Sequence, residues 1–389
     1  MRDLDAIVAG HLCVDITPLF HRETPHLGFL PGSLHRVGPA VFANGGAVAN
    51  TGLAMHHLGN RIAAVAKVGP DELGGICRHY MARFGLDREI KEHAGLTTSY
   101  SVVVAPPGSD RFFLHHPGAN EHFTAADVDE SLLDRARLLH LGYPTLMESL
   151  YRHTGEETHR LLARAKQHGV LTSLDMQLMD PASDAAKQDW TAILGRIAPV
   201  LDIFLPSLEE LLEMLAFQDY LALLETCRSS GRKMEEIVPP ERVRSLATGL
   251  LRMGVGMVGV KCGVRGIYLA TAGSSVLGKD WCNRELWAET LAIEEIVSAN
   301  GAGDCAIAGF LTAALRGMNP ENALNAACAA GAQNLRAADA HSGLGDWPEV
   351  MRMSSDHARR SNRPGGDWTP GAEIGIWRGP EDKNNTQAL

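Results

Sequence analysis

No uninterrupted apolar run of about 18 residues occurs in the 389-residue chain, so no membrane-spanning helix is expected. Positive charge is not in excess: 36 Lys and Arg stand against 46 Asp and Glu, a formal charge of −10, which disfavours a nucleic-acid partner. The seven cysteines form no CxxC pair, which is the pattern of free thiols in a reducing compartment. With only a short, early-broken apolar run at its start, the chain is expected to be cytoplasmic. There is no GxxxxGKS/T run, which excludes a P-loop NTPase. Gly254, Gly256 and Gly259 spell GxGxxG, but they lead into a strand rather than out of one into a helix, so the dinucleotide fingerprint fails its context. Aromatic residues make up 6%, while 45% hydrophobic and 21% charged residues are ordinary globular values that exclude general disorder.

What is present is an alternation. Short apolar runs at 6–9, 62–66, 138–141, 170–174, 201–205, 257–260 and 267–270 read as buried strands. Amphipathic patterns at 47–58, 71–84, 150–168, 208–227 and 241–253 read as helices between them. That rhythm predicts an α/β fold, with a mostly parallel central sheet covered by helices on both faces. Such sheets bind ligands beyond the carboxyl ends of their strands. Residues 20–42 and 97–115 break the rhythm. The second contains two β-rich runs around Pro106-Pro107-Gly108, a hairpin signature, and the two stretches are predicted to pair into a small accessory sheet. Residues 217–240 look like an insert, and the tail from about 351 looks extended or poorly ordered, with Trp368 and Trp377 as docking points.

The richest chemistry lies in Ser298-Ala299-Asn300-Gly301-Ala302-Gly303-Asp304, which opens a helical stretch. A helix N-terminus offers unpaired N–H groups and a positive dipole end, and a turn without bulky side chains lets an anion approach them. By itself the motif fits either such an anion cradle or a tight turn with Asp304 as a capping acid. Four further segments sit at strand-to-loop junctions: Gly45-Gly46 with Asn50, Gly69-Pro70-Asp71, Pro206-Ser207 with Glu210, and Lys261-Cys262-Gly263-Val264-Arg265-Gly266. The pairs His56-His57 and His115-His116 lack a supporting Cys or carboxylate cluster. They read as surface or lid histidines, with His115 and His116 placed where a substrate could reach.

In order and spacing, these five segments resemble the ribokinase-like, PfkB-type carbohydrate kinases, from about residue 5 to about residue 343. The resemblance implies a three-layer αβα kinase domain over residues 1–350, with a β-sheet lid from about 13–44 and 96–120, and a C-terminal extension over 351–389. It implies Asp304 as catalytic base, and Gly301, Ala302 and Gly303 as the anion hole for the transferring phosphoryl group. Asp15, Gly45, Gly46, Asn50 and Asn120 become the sugar cradle. Ser207, Lys261, Gly263, Gly266, Ala327 and Gly331 become the nucleotide side, and Glu210 organises magnesium through water. ATP and Mg2+ are the implied cofactors, a sugar or nucleoside is the implied substrate, and a homodimer formed through the lids is common in the family.

The sequence departs from the family pattern at three places. Ser298-Ala299 stands where Asp-Thr is usual, which removes a carboxylate tied to monovalent-cation binding, so no such ion is expected. Ser207 stands where Asn is usual, and Cys13 where a polar residue is usual. The leading expectation is an ATP-dependent sugar kinase. The alternatives are a nucleoside kinase of the same fold and a catalytically weakened sugar- or nucleotide-binding protein.

Overall fold

The computed structural model describes residues 2–20, 32, 34–106, 112–337, 339–361 and 363–384. Its strands are β1 (Leu4–Gly10), β2 (Cys13–Pro18), β3 (Ala40–Gly45), β4 (Ile62–Val68), β5 (Ile90–Glu92), β6 (Tyr100–Val104), β7 (Phe112–His116), β8 (Ala136–Gly142), β9 (Leu171–Asp175), β10 (Ile203–Phe204), β11 (Met257–Lys261), β12 (Ile267–Thr271), β13 (Glu285–Ala288), β14 (Thr369–Pro370) and β15 (Ile376–Arg378). Among the described residues they form an 11-stranded sheet, in the order β14-β15-β13-β12-β11-β10-β9-β8-β1-β4-β5, and a 4-stranded sheet, β3-β2-β6-β7. From β5 to β11 every pairing is parallel, and from β11 to β14 every pairing is antiparallel.

The parallel strands are apolar throughout because both their faces are covered. In β1, Ala6 and Val8 pack into one core layer and Ile7 and Ala9 into the other, as the two-residue period of a strand requires. The helices Ala47–His57, Ala302–Leu315 and Pro320–Asn334 fill the first layer. The helices Glu148–Gln167, Trp190–Ile197 and Pro240–Met253 fill the second.

The predicted accessory sheet is present. β2 lies between β3, to which it is antiparallel, and β6, to which it is parallel, and β7 closes the far edge against β6. The turn at Pro107-Gly108 and most of residues 20–33 lie outside the described residues.

Two expectations are corrected. The pattern at 208–227 is two helices, Leu208–Leu215 and Phe217–Ser230, broken at Ala216 (φ −149°, ψ 52°). The tail is not loosely extended. β15 pairs with β13, setting Trp377 opposite Trp287, and Trp368 buries its ring edge-on to Trp287 (5.9 Å, 90°) and Tyr268. Asp382 accepts from Arg284 Nε at 2.9 Å, and the same buried guanidinium also pairs with Glu321. An otherwise open sheet edge and a buried cation short of one carboxylate explain why this polar segment takes a fixed place.

Candidate active site

The loop that opens the helix Ala302–Leu315 is fixed by backbone geometry. Gly301 is its N-cap with φ 70°, and a Cβ there would fall 2.1 Å from the Ala340 carbonyl oxygen, so only glycine fits. Among the described residues no side chain caps this helix; Ala302 N donates to the Ala299 carbonyl at 3.4 Å, and the following N–H groups of the first turn can face an anion. The preceding residues are held locally. Asn300 N donates to Ser298 Oγ at 3.1 Å, and Asn334 Nδ2 donates to the Asn300 carbonyl at 2.7 Å. At Gly303 a Cβ would lie 3.7 Å from Lys261 Cδ, so the lysine runs alongside the turn.

Asp304 is 7% exposed, and three donors hold its carboxylate. Thr51 Oγ1 (2.8 Å) and Tyr143 Oη (2.6 Å) donate to Oδ1, and Asn50 Nδ2 (3.2 Å) donates to Oδ2. Asn50 and Thr51 come from the helix Ala47–His57, while Tyr143 follows β8 with φ 65°, a conformation uncommon outside glycine. Burial and the neighbouring Asp304 push the Tyr143 phenol well above its ordinary range, so it remains a donor.

Lys261, at the end of β11, donates from Nζ to Asp175 Oδ1 at 2.6 Å, at the end of β9. Burial works against the ammonium, but Asp175, Glu210 and Asp304 around it outweigh that and raise its pKa. Glu210 is buried in a capping box: Ser207 N donates to Glu210 Oε2 (2.7 Å), and Glu210 N donates to Ser207 Oγ (3.2 Å). Asp175 and Asp304 lie near this glutamate and the ammonium, and such a cluster of carboxyl oxygens suits a divalent cation. The described residues contain no group of three or more His, Cys, Asp or Glu that could hold a metal ion by themselves. That donor set fits magnesium, which keeps several waters and shares its shell with phosphate oxygens.

The Asp15 carboxylate lies against Gly45, where a Cβ would come within 2.4 Å of Oδ2, and Cys13 Sγ donates to Asp15 Oδ1 at 3.5 Å. Gly46, with φ 87°, faces the His11 ring. Gly263 and Gly266 bracket the turn from β11 to β12. That turn is tied down by Trp287 Nε1 donating to the Arg265 carbonyl (2.7 Å) and by Glu235 of the 217–240 segment, whose Oε1 lies 3.5 Å from Val264 N.

Three predicted site residues sit differently. Asn120 is fully buried and spends its amide on the backbone of Leu12, accepting from Leu12 N (3.3 Å) and donating to Leu12 O (3.0 Å). These bonds position the loop between β1 and β2. Ala327 is fully buried in the core. A Cβ at Gly331 would lie 2.9 Å from the Ala302 carbonyl oxygen, so its small size serves helix packing. Conversely, Thr51, Tyr143 and Asp175 were not singled out from the sequence. Tyr143 and Asp175 are polar residues at the carboxyl ends of β8 and β9, the same signal that drew attention to Lys261.

The comparisons agree with this geometry. The family model described as pfkB family carbohydrate kinase matches residues 7–345. A fructokinase-2 of Oryza sativa subsp. japonica is 30% identical over 161 residues, 40% of this chain and 47% of the relative. The chain spans about half the length of the plant fructokinases it matches. An uncharacterized sugar kinase of Archaeoglobus fulgidus is 24% identical over 69% of this chain and 89% of its own length. Among solved structures, Arabidopsis thaliana ribokinase complexed with ribose and ATP superposes with a TM-score of 0.69 at 19% identity, covering 91% of this chain and 99% of that one. A putative ribokinase II from E. coli in complex with ATP and Mg2+ superposes with a TM-score of 0.66 at 21% identity, covering 89% and 97%. No helix among the described residues is long and apolar enough to cross a membrane. Matched across residues 7–345, with both sheets and the glycine-led helix in place, the chain belongs to the pfkB family of carbohydrate kinases.

Proposed function

We propose that this chain is an ATP- and magnesium-dependent kinase that transfers the γ-phosphoryl group to a hydroxyl of a sugar or sugar-like alcohol, with Asp304 as the base. One observation carries the reading. Asp304 stands in the first turn of an uncapped helix beside Gly303, while Asn50, Thr51 and Tyr143 hold its carboxylate from the opposite wall. Phosphoryl transfer passes through a loose transition state, so the protein's task is positioning and charge stabilisation. The N–H groups of the turn Gly301, Ala302 and Gly303 stabilise charge on the transferring group. Lys261 adds a positive charge beside that turn, and Ser207, Gly263 and Gly266 border the nucleotide. Asp304 takes the hydroxyl proton as the bond to phosphorus forms. Asp15, Gly45, Gly46 and Asn50 hold the acceptor. Magnesium, held by Glu210 through water, neutralises phosphate charge when bound.

In this reading residues 1–350 are the catalytic domain, with the lid closing over the acceptor and excluding water, and β14 and β15 of the C-terminal extension complete its sheet. No monovalent cation is required, since Ser298 offers only a neutral oxygen where a charged one would attract the ion. The lid exposes Phe42 (50%) and Phe113 (48%), which supports homodimerisation through the lids. A single monomeric species in light scattering at micromolar concentration counts against that pairing.

The test of the activity is ADP release over a panel of sugars, sugar phosphates and nucleosides, D-fructose and D-ribose among them. Turnover with a sugar supports the reading, and turnover confined to purine nucleosides replaces it with a nucleoside kinase. Binding of sugar or ATP without any turnover replaces it with a ligand-binding protein.

A further inference from the structure

Among the described residues, the buried Nδ1 of His11 and Oδ1 of Asn50 have no hydrogen-bond partner. Buried polar groups are nearly always bonded, so an unanswered pair beside a proposed substrate cradle marks where a ligand supplies the bonds. His11 lies between β1 and β2 and is 2% exposed. Asn120 fixes the backbone of its neighbour Leu12 at both N and O. The His11 ring packs against Tyr143 (centroids 5.9 Å apart, 41°), the residue whose phenol bonds Asp304. Across the cleft, His11 Nε2 lies 3.5 Å from Nε2 of His115 on lid strand β7, and His115 Nδ1 lies 3.0 Å from Ser101 Oγ. His11 Nδ1 is turned to Gly46, where a Cβ would stand only 2.5 Å away.

Enclosure holds the His11 imidazole well below its ordinary range, so the ring is neutral and carries one donor and one acceptor nitrogen. If Nε2 donates to His115, Nδ1 is an acceptor, and if Nε2 accepts, Nδ1 is a donor. An alcohol hydroxyl answers either case, and where Nδ1 is the donor the hydroxyl accepts from it and its O–H is left to answer the Asn50 oxygen. A carboxylate in that place would be repelled by Asp15 and Asp304, which line the same cradle.

We propose that His11 is a specificity-determining contact of the acceptor, its Nδ1 bonding a hydroxyl other than the one that Asp304 deprotonates, with His115 of the lid locking the ring as the lid closes. This rests on the kinase reading, and it assigns the acceptor a second, neutral hydroxyl beside the reacting one.

The experiment takes the panel sugar with the highest kcat/KM and its monodeoxy analogues, and compares the wild type with His11→Phe. Phenylalanine keeps the ring against Tyr143 and removes both nitrogens. In the wild type, one analogue that retains the phosphorylated hydroxyl should lose about a hundredfold in kcat/KM, the upper range for leaving one neutral buried polar group unpaired. In His11→Phe the parent sugar should fall to the level of that analogue, so the preference shrinks below about threefold, with KM for ATP within about twofold of wild type. Preferences in His11→Phe identical to wild type for every analogue overturn the inference and leave the kinase reading intact. A panel with no turnover overturns both. Should His11→Phe fail to fold in thermal unfolding, His115→Ala on the lid is the second variant. It should reduce the same preference about tenfold at unchanged KM for ATP, and an unaltered preference there also overturns the inference.

Discussion

Lys261 Nζ and Asp175 Oδ1 lie 2.6 Å apart at the carboxyl ends of two strands, with Glu210 and Asp304 completing a pocket of three carboxylates around one ammonium. Removing one partner of a buried pair leaves an uncompensated charge and costs about 3–5 kcal/mol. Lys261→Met is therefore expected to destabilise the fold by about that much, and Asp175→Asn/Lys261→Met to recover most of it. Urea denaturation of both variants measures the coupling. Equal stability of single and double variants would break the argument. In the double variant, kcat/KM for ATP should stay at least tenfold down, because the cation beside Gly303 is still missing.

Asp304→Asn keeps the acceptor oxygen that faces Thr51 and Tyr143 but cannot take a proton. Turnover should fall by about 10²–10⁴, while thermal unfolding and ATP binding stay near wild type. Near-normal turnover in this variant removes Asp304 from the base role.

Two neighbouring glycines should respond differently. At Gly301, φ 70° and the Ala340 carbonyl oxygen forbid any side chain, so Gly301→Ala should lower Tm and activity together. At Gly303 a Cβ meets only the flexible Lys261 stem, at 3.7 Å or more. Gly303→Val should fold, bind sugar normally and lose kcat, because its branches stand where phosphate must reach the backbone. An unchanged kcat in folded Gly303→Val would show that this turn does not cradle the transferring group.

The loop before Gly301 is tied by Ser298 and Asn334 rather than by a carboxylate. Turnover is expected to be insensitive to replacing potassium by a bulky organic cation, measured at constant ionic strength so that screening does not intervene. Activation by potassium of tenfold or more would mean that backbone carbonyls suffice for the ion.

Glu213 accepts from Met179 N at 2.9 Å, and burial raises its carboxyl from the ordinary 4.5 to about 7. Between those pH values the folded chain holds a proton that the unfolded chain has released, so this residue makes stability fall as pH rises from 4.5 to 7. Glu213→Gln preserves the accepting oxygen and removes the titration. It should be more stable than wild type by about 2 kcal/mol at pH 8 and nearly equal at pH 4.5. Parallel stability–pH curves for the two proteins would refute this.

The strand–helix rhythm was legible because strands covered on both faces are apolar runs, and the glycine-led turn was legible because its conformation admits little else. The site's partners were harder to read. Tyr143 reaches Asp304 across 161 positions, and nothing local in Gly-Tyr-Pro announces that a phenol will meet a carboxylate. The residue type of Asn120 suits sugar binding, and only the fold shows that its amide also ties the backbone of Leu12. Ala327 and Gly331 have the small size that a nucleotide groove needs, but the same size lets two helices approach. The tail was misread because its Gly, Pro and charge suggest solvation, whereas its fixed place depends on a distant sheet edge and on Arg284.

That arrangement has a consequence for biosynthesis. The ribosome releases β13 well before β15, so the nascent chain carries an unpaired strand edge and an Arg284 lacking Asp382 until those later residues emerge. During that interval the exposed edge can template pairing with another chain. Products of premature termination after the helix Trp347–Asp356 would hold every proposed catalytic group yet keep that edge permanently open. Their fate would be aggregation or proteolysis rather than partial activity, because β15 alone covers that edge of β13 among the described residues.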